Sequence, residues 1–459
     1  MSEYVQIKRV DYEAMLIDMA AMRAEIKALR AQINKDSHNS SKPPSSDGFQ
    51  KPNRTQSQRE SSGKKPGGQP GHAGSTLMQR EDPDEVVILI PNECDHCGHK
   101  FEAKHTASTL LGQRQMLDLK KSGGLACTEY QQWSCECDCC GEVSHGKYPK
   151  WLSRPIQYGP VIQALGIYLS DYMLLPYGRV RECLEDLYSC SISTGTLHRF
   201  NRNAYQILEY VEGLIKQGLI DADVAHFDET GISIKGVLNW LHVASTDQLT
   251  HYTIHAKRGD QGMVAGGILP CYQGIAIHDA LPSYYKDQFQ HMTHGLCNAH
   301  LLRNLTFAIE ECGDQWAKSM KRCLKRMKET ADQARAADKT HISPATLRRL
   351  ECRYNAIMAR GFAEYPPPKK ATGPKKRGRK AQPFGKNLLD RFYQHKDEVL
   401  LFLFNLEVPF DNNQAERDIR MLKVQQKISG CFRSFPGAQY FSRVRGYIST
   451  MKKQHFNIM

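Results

Sequence analysis

The run DVAHFDET, Asp223–Thr230, decides the fold: it is a short apolar stretch of β-like composition that closes on a carboxylate, Asp228. Its counterpart is GIAIHDA, Gly274–Ala280, which closes on Asp279. A third acidic residue, Glu416, lies much later in the helix-like DNNQAERDIR, Asp411–Arg420. Between the two aspartates the alternating runs GISIKG, NWLHVAST and LTHYTIH predict a β-meander whose first strand carries Asp228. A helix-like GMVAGGIL then leads to a fourth strand ending at Asp279. Carboxylates at neighbouring strand ends raise one another's pKa unless a cation compensates. One such aspartate is more often a turn former or a helix cap, but two, each after an apolar β run, point to a metal pair.

Two strand-end aspartates and a distant helix glutamate are the pattern by which a ribonuclease-H-like nuclease core gathers divalent metals. Oxygen ligands suit Mg²⁺ or Mn²⁺, and two ions about 4 Å apart clamp both the attacking and the leaving oxygen of a phosphodiester. Asp228, Asp279 and Glu416 are therefore the expected catalytic and metal-binding triad. Asn412 stands four residues before Glu416, on the same helical face, where its amide can orient the carboxylate or DNA. Arg417, Arg420, Lys423 and Lys427 surround the glutamate with positive charge. In THGLCNAHLLRNL, Thr293–Leu305, Cys297 and His300 face one direction on a helix. Two ligands make an incomplete set, so a supporting role beside the catalytic carboxylates is expected for them.

The chain has 459 residues, enough for two to four domains, and a formal charge of +13 with 62 Lys and Arg against 49 Asp and Glu. That balance points to a polyanion, above all double-stranded DNA, because neutralising phosphates releases counterions. No apolar stretch is long enough to span a bilayer and Met1–Val10 lacks the core of a secretory signal, so a soluble, cytoplasmic, nucleoid-associated protein with no membrane partner is expected. Fifteen cysteines, an odd number, then read as thiols and metal ligands rather than disulfides.

Outward to the amino terminus, Tyr12, Met19, Ile26 and Ile33 alternate with Met15, Met22 and Leu29 at heptad spacing, which predicts a short coiled coil over 1–34. A polar, breaker-rich linker follows over 35–80, including NSSKPPSSDG and GKKPGGQPGHAGST. CDHCG at Cys94–Gly98 and CDCCG at Cys137–Gly141 repeat one knuckle, so Cys94, Cys97, Cys137 and Cys140 would close a structural Zn²⁺ site in a small β-rich ribbon over 81–150. Cys135 and Cys139 compete for the second half of that site.

Residues 151–220 turn helical: an apolar helix from Pro160, a second over Arg179–Tyr188, the turn SCSIS and a third from Thr194. This layout is that of a helix-turn-helix presenting Thr194, Thr196, His198, Arg199 and Arg202 to a groove, although three packed helices also simply fill a core. The first part of the catalytic core is expected over 221–300, a helical insertion over 301–408 and the last catalytic helix with its tail over 409–459. Inside the insertion, Pro366–Lys386 has eight basic residues and no acidic one. There Arg377, Gly378 and Arg379 can enter a narrow minor groove while Lys376 and its neighbours meet phosphates.

These motifs, in this order, give the chain its resemblance. The zipper-like start, NSSKPPSSD, KKPGGQPGH, paired CxxCG, DET with NWLHVAST, HD, LCNAHLLRNL and NNQAERDIRMLKVQQKISGCFRS together resemble the transposases of the insertion sequence 66 family over essentially the whole length. The resemblance implies a DDE-type recombinase whose ribonuclease-H-like core is interrupted by a helical insertion. Asp228, Asp279 and Glu416 take the triad positions by motif. It also implies terminal inverted repeats as substrate and small accessory proteins encoded beside it. Similar members usually continue past YISTMKKQHFNIM, so a final helix is expected to be missing here.

The expected whole is a multidomain α+β protein: coiled coil, zinc ribbon, helical DNA-binding region and ribonuclease-H-like core with its insertion. Its expected work is metal-dependent end cleavage followed by strand transfer through the freed 3′ hydroxyl, with no covalent protein intermediate. Holding two ends together requires a homo-oligomer. A catalytically inactive DNA-binding regulator and a structure-selective nuclease are the alternatives. Cleavage of end-containing DNA excludes the first, and strand-transfer products exclude the second.

Overall fold

Residues 9–33, 77–101, 109–120, 124–366 and 382–459 are described by the computed structural model. Most of the expected linker, and Lys376, Arg377 and Arg379 of the basic loop, lie outside the described residues. Along the chain come α1 (Arg9–Ile33), β1 (Glu85–Leu89), β2 (Thr109–Leu119), β3 (Leu125–Glu136), β4 (Val143–His145) and β5 (Ile156–Tyr158). Helices α2 (Pro160–Ile167), α3 (Tyr177–Tyr188), α4 (Thr194–Ile207) and α5 (Glu209–Ile220) follow. Next are β6 (Val224–Ile234), β7 (Val237–Ser245), β8 (Thr250–His255), α6 (Asp260–Ala265), β9 (Ile275–His278) and β10 (Thr293–Leu296). The remainder is α7 (Asn298–Phe307), α8 (Gln315–Ala336), α9 (Pro344–Glu364), α10 (Phe384–Gln394), α11 (Lys396–Phe404), α12 (Asn413–Ser429) and α13 (Phe435–Lys453). Among the described residues no helix is long and apolar enough to cross a membrane.

The chain divides into two units by contact, one made of 1–60, 220–228 and 270–416, the other of 61–219, 229–269 and 417–459. In the first, β9 lies parallel to β10 and to the start of β6, paired Val224↔Ile275, Ala225↔Ala276 and His226↔Ile277. The mostly apolar start of β6, Val224 to Phe227, and of β9, Ile275 to Ile277, suits parallel strands covered on both faces. Helices α7 to α11 bury one core with these strands, in which Ile277 and Leu296 join Trp316, Met320, Leu324, Tyr354, Leu389, Phe392 and Phe402. The helices expected as an insertion thus share their apolar interior with the strands that carry the site.

The second unit holds a five-stranded sheet ordered β1-β3-β2-β5, with β4 on β3, and the hairpin strands that continue from β6. DVAHFDET and GISI form one eleven-residue strand rather than two runs, since Gly231 is accommodated without a break. Lys235 and Gly236 have positive φ, the two-residue turn that joins antiparallel strands with matching twist. Near the amino end of this unit, α2 to α4 pack Ile162, Val180, Leu184, Leu197 and Phe200 around Tyr158 and Leu117. Ser193 caps α4 by accepting a hydrogen bond from the amide of Thr196 at 3.1 Å.

Asp171, in the π-helical turn after α2, is buried and accepts from Ser170 at 2.9 Å, but its Oδ2 has no partner. Burial pushes its carboxyl up to about 7, against weaker pulls from Ser170 and Arg445. Because the folded pKa exceeds the unfolded one, folding favours the protonated acid, so stability falls as pH rises from about 4 to about 7 and is level above. Asp171→Asn is therefore expected to melt higher than the native protein above pH 7, by at most roughly 4 kcal/mol, with the gain vanishing near pH 4. Melting curves across that pH range check the sign.

Candidate active site and cysteine cluster

The parallel register of β6 and β9 is what positions the first two carboxylates. The pairing ends at His226↔Ile277, so Asp228 follows the paired stretch of β6 by two residues and Asp279 stands immediately after β9. β9 ends at His278, and the carbonyl of Asp279 is held by the amide of Leu281 at 2.7 Å and faces His278 Nδ1 at 2.6 Å. His278 is fully buried, stacked 4.0 Å from the ring of Tyr284, and contacts His294 through Nε2 at 2.8 Å. Burial drives its pKa down to about 4, so it is a neutral support.

From β10 the chain turns into α7 at Cys297, whose amide donates to the carbonyl of His278 at 3.0 Å. Three residues on, His300 Nδ1 lies 2.7 Å from Asp279 Oδ1, 3.2 Å from Cys297 Sγ and 3.6 Å from Glu416 Oε1. Burial alone would raise the Asp279 carboxyl, but His300, helped by His278 and Arg303, holds it below the usual range. Burial alone would lower His300, and Asp279 with Cys297 more than reverses this. His300 Nδ1 and the buried Asp279 Oδ1 thus form a close charge pair.

Glu416 enters from the first turn of α12, and Arg303 on α7 holds its Oε1 at 3.3 Å. Sequence reading did not single out Arg303, although it stands three residues after His300 and so shares its helical face. The other residue missed is His226, which faces the same side of β6 as Asp228 and contacts Asn412 Oδ1 at 2.8 Å through Nδ1. Asn412 is completely buried and ties three segments together. Its side chain donates to the carbonyl of Phe227 at 2.8 Å, its amide donates to Cys297 Sγ at 3.2 Å, and its carbonyl accepts from the amide of Glu416 at 3.2 Å. Asp279, Glu416, Cys297, His300 and Asn412 are thereby gathered within one unit, with Asp228 next to Phe227 in the same unit.

Of the residues expected to touch DNA, Arg202, Arg417 and Arg420 are exposed and Arg199 is half-buried. Burial, with Arg154 and Arg202 nearby, lowers the pKa of Arg199. Lys423 instead turns inward and donates to the carbonyl of Gly231.

The cysteine cluster belongs to the other unit. Cys94, Cys97, Cys137 and Cys140 bring their sulfurs within 4.8 Å of one another, with Cys94 to Cys140 and Cys97 to Cys137 both 3.6 Å apart. Four sulfurs on a tetrahedron with 2.3 Å bonds stand about 3.8 Å apart, so the quartet fits one ion. The knuckles match: Gly98 and Gly141 have φ of +71° and +72°, and their amides donate to Cys94 and Cys137 carbonyls at 3.0 and 2.7 Å. Backbone amides of Cys97 and His96 draw the Cys94 thiol down to about 6. The Glu142 amide favours the Cys140 thiolate too, but burial and three neighbouring sulfurs outweigh it. Such a set cannot ionise fully without a cation. Cys135, buried on β3, and Cys139, exposed, stand outside the quartet.

No curated protein matches the chain. Residues 4–78 match a family of unknown function, DUF6444. Among solved structures, the HTLV-2 integrase catalytic core domain in complex with magnesium (dimeric form) is similar over 20% of this chain and 74% of its own, at 16% identity and a TM-score of 0.14, which carries no structural argument. Residues 155–440, more than half of the chain and including β6, β9, α7 and the start of α12, match the family described as Transposase IS66 family. The chain belongs to the IS66 family of transposases.

Proposed function

We propose that the protein is a DDE-type transposase that binds the terminal inverted repeats of its element, cuts at the element ends and joins them to target DNA. The observation that carries this reading is the convergence of Asp279 and Glu416 on one histidine, His300, beside the parallel pairing of β6 and β9, the strands that lead to Asp228 and Asp279. The parallel pairing of β9 with the start of β6 and with β10 supports a ribonuclease-H-like core. Asp228, Asp279 and Glu416 would hold Mg²⁺ or Mn²⁺. Bound there, such ions activate the attacking water and stabilise the departing 3′ oxygen.

The chain's own residues do the rest. His300 keeps two carboxylates together that would otherwise repel, and Arg303 fixes the orientation of Glu416. Asn412 holds the strand of Asp228 and the helix of Glu416 in one alignment. Exposed Arg202, Arg417 and Arg420, with Lys376, Arg377 and Arg379, would meet the DNA backbone. The quartet of cysteines would hold Zn²⁺ with no position left open, a structural role. Exposed Tyr12, Met15, Met19, Met22, Ile26 and Leu29 on α1 suit self-association of two copies, and accessory proteins from the same element would join them.

The test is incubation of the purified protein with duplexes carrying the element end and a supercoiled target. With Mg²⁺, nicked ends and end-to-target joints are expected, and neither without it. Cutting without joints would reduce the protein to a nuclease. Binding without cutting in either metal would leave a regulator.

A further inference from the structure

We propose that Asp279, Cys297 and His300 form a transition-metal site, a carboxylate, thiolate and imidazole set that takes Zn²⁺ or Co²⁺ in preference to Mg²⁺. In sequence, Cys297 and His300 are a two-ligand set and incomplete. The fold supplies the third ligand by bringing the end of β9 against the first turn of α7. One donor atom from each of the three residues lies within 4.8 Å of the other two. His300 Nδ1 is at the centre, 2.7 Å from Asp279 Oδ1 and 3.2 Å from Cys297 Sγ. An ion bonded at about 2.0 to 2.3 Å places tetrahedral donors roughly 3.3 to 3.7 Å apart, so an opening of about half an ångström admits it.

The donor chemistry selects the ion. Sulfur and imidazole ligands favour borderline cations over Mg²⁺, which demands oxygen. The Asn412 amide already donates to Cys297 Sγ at 3.2 Å, the contact a bound thiolate would keep. Three protein ligands leave a fourth position open, unlike the cysteine quartet, and Glu416 Oε1 stands 3.6 Å from the same histidine nitrogen. Since Asp279 is shared, an ion seated here withdraws it from DNA cleavage and Zn²⁺ inhibits the Mg²⁺-supported reaction. Only this last consequence rests on the proposed function; the binding stands on donor geometry.

The experiment uses the full chain with one equivalent of Zn²⁺ in the cysteine quartet, titrated with Co²⁺, which does not displace the tighter zinc. One further equivalent is expected to bind with a thiolate-to-cobalt absorption band. Cys297→Ser should abolish that band, and His300→Ala should weaken Co²⁺ at least about tenfold. X-ray absorption at the cobalt edge of the unaltered protein guards against a variant that fails to fold: one sulfur among nitrogen and oxygen neighbours is expected. No sulfur in that shell, or a band that survives Cys297→Ser, overturns the proposal. Loss of the cobalt signal alongside normal Mg²⁺-dependent cleavage would sink this site alone, whereas a cobalt signal without any cleavage would sink the functional reading alone.

Discussion

Replacing Asp228 with Asn is expected to lower end cleavage by at least about three orders of magnitude while binding to end-containing DNA persists. The substitution keeps the volume and most of the polarity of the side chain, so β6 loses little. What goes is a formal negative charge on β6, the strand that pairs with β9. A metal that stabilises charge in the transition state contributes several kcal/mol, and every 1.4 kcal/mol is a factor of ten in rate. Asp279→Asn should lose as much, but it also removes the charge facing His300, so some of its effect would be structural. Asp228 therefore gives the cleaner measurement. Single-turnover cleavage beside an electrophoretic binding assay separates the two effects, and wild-type cleavage by the Asp228 variant would dismiss the triad.

The strands and the knuckles were legible because each is a local signal: an apolar run that stops on a charge, or a glycine directly after the second cysteine of a pair. What local signals could not convey was who meets whom. Nothing in LCNAHLLRNL announces that His300 answers Asp279 and Arg303 answers Glu416, because those contacts span 21 and 113 residues. The choice between Cys137 with Cys140 and the competing Cys135 with Cys139 was equally open, and the fold gathers the first pair with Cys94 and Cys97. DVAHFDET and GISIKG read as separate runs, yet Val224–Ile234 is one strand in which Ile232 and Ile234 are buried. Lys423 looked like a phosphate contact by charge alone and is held inside by a carbonyl.

The second large effect concerns the cysteine quartet. Cys137→Ser, or removal of metal with a strong chelator, is expected to unfold both knuckles. Structural zinc contributes about 10 to 16 kcal/mol in small isolated domains, as large as the whole stability of many domains, about 5 to 15 kcal/mol. Here the loss is cushioned, because β3 pairs with both β1 and β2 along much of its length. Hydrogen exchange should therefore rise sharply over residues 94–100 and 137–145 and much less at Leu117 or Cys127. Metal content by native mass spectrometry should fall in Cys94→Ser and Cys137→Ser and stay at one in Cys139→Ser, which is exposed and outside the quartet. Retention of the ion by Cys137→Ser, with loss in Cys139→Ser, would reverse the assignment.

Asn412 bonds to His226 and Phe227 across 186 and 185 residues of chain, and Glu416 follows it. On the ribosome the strand bearing the first aspartate emerges long before this clasp is made, and every helix from α7 to α11 must be translated in between. A nascent or prematurely terminated product therefore lacks one of its three acidic groups and the pin that aligns them. On the proposed function, cutting therefore waits until the last of these parts has been made.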